Sequence, residues 1–204
     1  IVIPSSIEKI GKFAFYGCKS LKQINIPSSV KIIDESAFER CKSLERIKIP
    51  FSVVNIGNSV FKQCKSLIGI DLIDSQKSEI SKDVFIPSSI TSIGSFSFFQ
   101  CNSLKEIKIP SSVTIIDSYS FAHCESLTDI IVPSSVIKLG NGCFENCKLL
   151  KEMIIPSSTL KIESSVFKEC SSLEKVSILS LPKKIAKNLF YQCKLLNDMK
   201  IPSS

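Results

Sequence analysis

The chain predicts a repeat solenoid, one short unit stacked on copies of itself, and three columns of residues predict it. Cysteines recur at Cys18, Cys41, Cys64, Cys101, Cys124, Cys147, Cys170 and Cys193, with every interval 23 residues except the 37 between Cys64 and Cys101. A phenylalanine stands three positions before each of them, from Phe15 to Phe190, and a leucine three positions after, from Leu21 to Leu196. A unit this short cannot bury its apolar face alone, so a fixed period of this size outranks any local reading.

The elements follow in order along the unit. L-x-x-I-x-I alternates and is rich in β-branched residues, which predicts a short strand, as in Leu104 to Ile109. The proline after it cannot donate to a ladder and stops the strand, and Ser-Ser turns the chain. V-x-x-I reads as a second short extended piece. The Gly or Asp that usually follows (Gly11, Asp34, Gly57, Gly94, Asp117, Gly140) marks a bend, with Gly available for positive φ. G-x-x-A-F-x-x-C carries i, i+4, i+7 apolar spacing, which predicts a single helical or 3₁₀ turn. Stacked at ~4.8 Å, such units give a solenoid with a parallel ladder of the first strands and a continuous apolar core, the second short strands and helical or 3₁₀ turns forming its other walls.

Bulk composition fits one ordered body: 204 residues, 44% hydrophobic, are enough for an ordinary core. The 26 Lys and Arg against 19 Asp and Glu leave +7, which suits an acidic partner wherever the basic residues cluster. No stretch approaches the ~20 apolar residues that cross a bilayer, so no membrane insertion is expected. The chain opens on "IVIPSS" and closes on "MKIPSS" without a polar capping unit, the expectation for a piece of a longer protein or for end-to-end self-association.

The segment "LKEIKIPSSVTIIDSYSFAHCESL", Leu104 to Leu127, resembles the BspA-like class of leucine-rich repeats, and the resemblance covers residues 1–204 as a single domain of eight repeats. It implies a curved solenoid with its main parallel sheet on the concave side and short strands and helical or 3₁₀ turns on the other side, borne on a cell surface or secreted, with relatives that adhere to host cells or matrix proteins. A cytoplasmic setting stays open.

The pattern breaks between Leu72 and Pro87, where fourteen residues are added. Ile80, Val84 and Phe85 reproduce the I-x-x-x-A-F spacing, so residues 73–86 read either as a degenerate, shortened repeat or as a loop. Near the other end Leu179 replaces the expected proline and Pro182 comes three residues late, while Cys170 and Cys193 keep their 23-residue interval. The turn there is expected to be redrawn without disturbing the stack.

Nine cysteines suggest disulfides or zinc only where their spacing allows it, and here no C-x-x-C occurs. A ladder presents thiols in a parallel row instead of a tetrahedron, and in-register Cβ vectors do not converge, so buried free thiols are expected. Cys143 sits in the column of Ala14 and Ala37 and reads as another small core residue, with a Cys143 to Cys147 contact as the alternative. The only histidine, His123, precedes Cys124, but its column is Gly17, Arg40, Gln63, Gln100, Asn146, Glu169 and Gln192, a permissive set that faces water. A nucleophile needs an exposed thiol of lowered pKa within reach of its base. No nucleotide-binding, zinc-protease or serine-hydrolase motif is present, so no catalytic, cofactor or metal site is expected.

Function then rests on surfaces. The residues five and seven after each cysteine should leave the concave face, which makes Arg46, Lys48, Glu106, Lys108, Asp129, Ile131, Glu152, Ile154 and Lys175 the candidate binding surface. Charges alternate along it, so nucleic acid is not an expected partner. Ile131 and Ile154, apolar with a charged rim, resemble a protein contact, although two β-formers on a sheet are the plainer reading. Lys19, Lys42 and Lys65 form a candidate anion edge for a sulfated glycan or acidic surface, with a merely solvated edge as the alternative. Phe96, Phe99 and Tyr119 stand in columns that elsewhere hold Ser, Glu and Lys among other residues, and they either pack down the shortened repeat or form an apolar patch. The expected function is a non-enzymatic module binding a host-cell or matrix protein, or a glycan. An intracellular scaffold, which free thiols and the absence of an N-x-S/T sequon would suit, is the alternative.

Overall fold

In this computed structural model, which describes residues 1–73, 86–180 and 185–202, the chain winds as a solenoid of parallel strands. The main strands are β2 (Gln23–Asn25), β4 (Arg46–Pro50), β6 (Gly69–Ile73), β8 (Glu106–Lys108), β10 (Asp129–Ile131), β12 (Glu152–Ile155), β14 (Lys175–Ile178) and β15 (Asp198–Lys200). The V-x-x-I segments supply a second set: β1 (Lys9–Ile10), β3 (Ile32–Ile33), β5 (Asn55–Ile56), β7 (Ser92–Ile93), β9 (Ile115–Ile116), β11 (Lys138–Leu139) and β13 (Lys161–Ile162). Every pairing is parallel, and register follows the cysteine ruler: Ile47 opposes Ile24, and Val176 opposes Met153. In these strands apolar residues at even positions point into the core and polar ones leave it, as the buried Ile107 between exposed Glu106 and Lys108 shows.

The third wall corrects the helical expectation. Among the described residues G-x-x-A-F-x-x-C forms neither an α-helix nor a 3₁₀-helix but a run of tight turns. Its amides alternate in use. Ala37 N–H donates to Asp34 within the rung, and Phe38 N–H donates to Val60 of the next rung (3.3 and 3.0 Å). A helix would consume every amide locally; here every second one ties two rungs together. The chain reverses through left-handed φ at the positions five and one before each cysteine, +55° at Ser36 and +62° at Arg40 for example.

That finding also moves the role of glycine. The bend residues Gly57 and Gly140 do not have positive φ; what they need is space, since a Cβ would come within 2.6 Å of Glu35 N and 2.5 Å of Ser118 N respectively. Gly142, two positions later in its rung, does adopt φ +55°, and a Cβ there would meet the Tyr119 ring at 2.6 Å.

Two side-chain ladders complete this wall. Phe15, Phe38, Phe61, Phe98, Phe121, Phe144, Phe167 and Phe190 stack in one column, with centroids 5.0 to 5.9 Å apart and planes within 27°. Each ladder cysteine after Cys18 (Cys41, Cys64, Cys101, Cys124, Cys147, Cys170 and Cys193) donates its S–H to the carbonyl of the phenylalanine one rung back, at 3.0 to 3.3 Å. At the turn after the long strands, the residue two after the proline does more than turn the chain: Ser29, Ser112 and Ser135 of P-S-S, and Ser52 of Pro50-Phe51-Ser52, donate to the carbonyl of the residue 22 positions back. Both ladders pass from the Cys64 rung directly to the Cys101 rung, where Phe61 stacks on Phe98 at 5.5 Å and Cys101 bonds Phe61 O at 3.2 Å. The shortened repeat or loop expected at 73–86 falls almost entirely on 74–85, and the late Pro182 on 181–184, both outside the described residues.

Candidate functional site

The sheet of long strands presents the outward columns as expected, and hydrogen bonding divides it into three groups: β2-β4-β6, β8-β10 and β12-β14-β15. One division follows β6, where the fourteen added residues begin. The other lies between β10 and β12, which no strand pairing joins, although the Phe ladder (Phe121–Phe144, 5.7 Å) and the β9–β11 pairing run straight past it.

Among the sequence-predicted residues, Glu106, Lys108, Asp129 and Ile131 meet on β8 and β10, with Glu106 opposite Asp129 and Lys108 opposite Ile131. Glu152, Ile154 and Lys175 meet on β12 and β14, where Lys175 Nζ lies 3.0 Å from Glu152 Oε1. The Glu152 carboxylate raises the Lys175 pKa. Arg46 and Lys48 belong to the separate group at β4, and the Arg46 guanidinium lies over Gly69 of the next rung, 3.6 Å from where a Cβ would sit, an ordinary contact distance that leaves room for a side chain there. Ile131 and Ile154 are exposed to 77% and 60%, one on each side of the β10–β12 seam. An apolar side chain that open contributes nothing to the core, and its stabilisation awaits a covering surface.

The sequence reading missed two neighbours of this pair. Ile137 and Leu160 (85% exposed) follow Ile131 and Ile154 by six residues across the P-S-S turn, on adjacent rungs joined by the Leu160 N–H to Ile137 O bond of 3.0 Å. Their signal was partly present: their column also holds Glu8, Lys31, Val54, Thr91 and Thr114, mostly polar, with Val54 a third exposed apolar residue.

Cys124 and His123 are parted. The thiol is fully buried, and desolvation raises its pKa to about 12, the reverse of an activated nucleophile. His123 is half-buried instead of freely solvated: its Nδ1 lies 2.7 Å from Asn146 Nδ2, and its ring meets Phe99 edge-on at 5.2 Å. Phe99 packs on Phe96, which stacks on Tyr119 at 5.1 Å, so these aromatics form a half-buried shoulder on the turn wall. All nine cysteines are free, including Cys143 and Cys147, and among the described residues no cluster of His, Cys, Asp or Glu is arranged to hold a metal ion. No helix among them is long and apolar enough to cross a membrane.

Comparison with known proteins fits this geometry. No curated protein matches the chain. Among solved structures, a leucine-rich cell surface protein from Faecalibacterium prausnitzii A2-165 superposes with TM-score 0.62 at 23% identity, over 98% of this chain and 78% of that one. A leucine-rich repeat protein from Bacteroides ovatus gives TM-score 0.69 at 28% identity, over 97% and 59%, and the pneumococcal vaccine antigen PcpA gives 0.60 at 24%, over 97% and 55%. The chain thus spans under two thirds of the latter two proteins. The model of the BspA-type leucine-rich repeat region matches in six copies, over residues 1–91 and 76–197. With the 23-residue ruler, parallel strands and Phe, Cys and Leu columns all in place, the chain belongs to the BspA-type leucine-rich repeat family.

Proposed function

We propose that this solenoid is a non-enzymatic binding module of a cell-surface or secreted protein, engaging a protein of a host cell or matrix through the face that carries Ile131 and Ile154. The observation that supports it most is the pair of open isoleucines at the β10–β12 seam, rimmed by Asp129 and the Glu152–Lys175 ion pair. An apolar centre inside a charged rim suits a protein partner, whose own apolar groups fill the centre while the rim sets orientation. Family membership and a fold shared with a bacterial surface protein support the surface setting at the level of the fold.

The test is the double substitution Ile131→Ser with Ile154→Ser in a binding assay against extracellular matrix proteins, beside an unaltered control. Loss of about tenfold or more in affinity is expected; a protein ligand bound equally well by both would remove this face. A second reading, an intracellular scaffold on the same fold, is favoured by one observation, the nine free thiols. Antibody labelling of intact cells separates the two, since a scaffold stays unlabelled until the cells are opened.

A further inference from the structure

We propose that the corner carrying Lys19, Lys42 and Lys65 is a second binding edge, separate from the isoleucine face, and that its ligand is a linear sulfated glycan. Each lysine is the second residue of a Cys-Lys-Ser-Leu turn closed by the Leu N–H to Cys C=O bond (3.1, 3.0 and 3.0 Å), so three stems leave the molecule from equivalent points on adjacent rungs. The rungs repeat on the scale of the ring spacing, 5.0 Å from Phe15 to Phe38 and 5.9 Å from Phe38 to Phe61. All three side chains are exposed, and among the described residues no carboxylate stands within ion-pair distance of any of them.

Other lysines, Lys22 and Lys194 among them, also lack a carboxylate within ion-pair distance among the described residues; what sets this edge apart is three such lysines at one position on consecutive rungs. In the same column Lys148 pairs with Glu125 at 3.0 Å, and two positions before the cysteine of the next rung Lys168 pairs with Glu145 at 2.8 Å. In the first rungs three carboxylates are engaged elsewhere: Asp34 with Lys9, Glu35 with Lys12 and Glu39 with Lys62. Through Ile73 the chain carries 11 Lys and Arg against 6 Asp and Glu, so most of its net charge of +7 resides there. A row of like charges at rung spacing is relieved by an anion that repeats on the same scale, as a sulfated sugar chain does. Each of these lysines is followed by a serine, Ser20, Ser43 or Ser66, whose hydroxyl suits sulfate and sugar oxygens. No aromatic ring interleaves with the lysines, and single-stranded nucleic acid would lack its stacking platform.

Heparin affinity tests this with two triple variants of equal charge change: K19Q/K42Q/K65Q, and the control K138Q/K161Q/K168Q, whose lysines are ion-paired. Thermal melts confirm that both fold. The unaltered protein is expected to be retained, the edge variant to bind a heparin oligosaccharide about tenfold more weakly, and the control to match the unaltered protein. Absence of retention at low salt, equal losses in the two variants, equal binding of desulfated heparin, or equal binding of a single-stranded oligonucleotide would each overturn the assignment.

Discussion

The turn wall and the main sheet of this solenoid are built from the same eight repeats, yet they differ in continuity. Around Phe38, Cys41 and their equivalents every rung is tied to the next by backbone bonds, ring stacking and an S–H donor, without a break from Phe15 to Phe190. Among the described residues the main sheet pairs in three separate groups. The difference teaches that the stack is held by its turns. Buried rings and thiols leave no freedom in the rung-to-rung distance, while strands of three to five residues with one open face tolerate an insertion after β6 and a seam beside β10. A binding face can therefore vary where the wall cannot.

The wall breaks most completely in alkali. Burial raises the thiol pKa to about 11 at Cys41 and about 12 at Cys124, with Cys64, Cys101, Cys143, Cys147 and Cys170 shifted the same way by the same cause. The folded state holds these protons more tightly than the unfolded chain, whose thiols titrate near ~8.5. Stability is therefore unaffected by the thiols below that pH and falls above it, at about 1.4 kcal/mol per pH unit for each buried thiol until its folded pKa is reached. Cooperative unfolding is expected on going from pH 8 to pH ~10.5. A urea midpoint that stays constant over that range contradicts the ladder.

Next in size, Phe121→Ala should cost about 3 to 5 kcal/mol, because it removes a fully buried ring stacked on both sides. A loss below ~1 kcal/mol in a denaturant titration would mean that neighbouring rungs collapse freely, contrary to a rigid wall. Ser120→Ala acts in the opposite direction. Its hydroxyl is fully buried with no hydrogen-bond partner among the described residues, whereas Ser97 in the same column donates to Gly94 O at 2.8 Å. Removing it should raise stability by about 1 kcal/mol, and a lowered melting temperature would show that the hydroxyl has a partner after all. The smallest effect belongs to the sheet: Ile131→Ser with Ile154→Ser should leave stability within about 0.5 kcal/mol. A larger loss would place both residues in the structural core.

The core was legible in the sequence almost residue by residue. Fully buried Phe38, Leu44 and Ile47 are read from column identity alone, because a stacked repeat maps sequence position directly onto spatial position. The turn segment was misread for a physical reason: i, i+4, i+7 spacing of apolar residues is shared by a helix and by a chain of turns. Nothing in Ser36 or Gln63 announces the left-handed backbone that decides between them. The candidate surface was half legible, since alternation located the outward columns while the exposure of Ile137 and Leu160 past the turn did not follow from strand alternation.

What the sequence determined by itself is the period, the parallel register and the membership of the core, all consequences of repeating one amphipathic unit that must stack to be buried. What only the tertiary structure decided is which backbone amides reach across rungs, that the cysteines serve as donors to Phe carbonyls, and where the main sheet opens. These depend on φ values and on distances between residues 22 to 40 positions apart, and no local pattern encodes them.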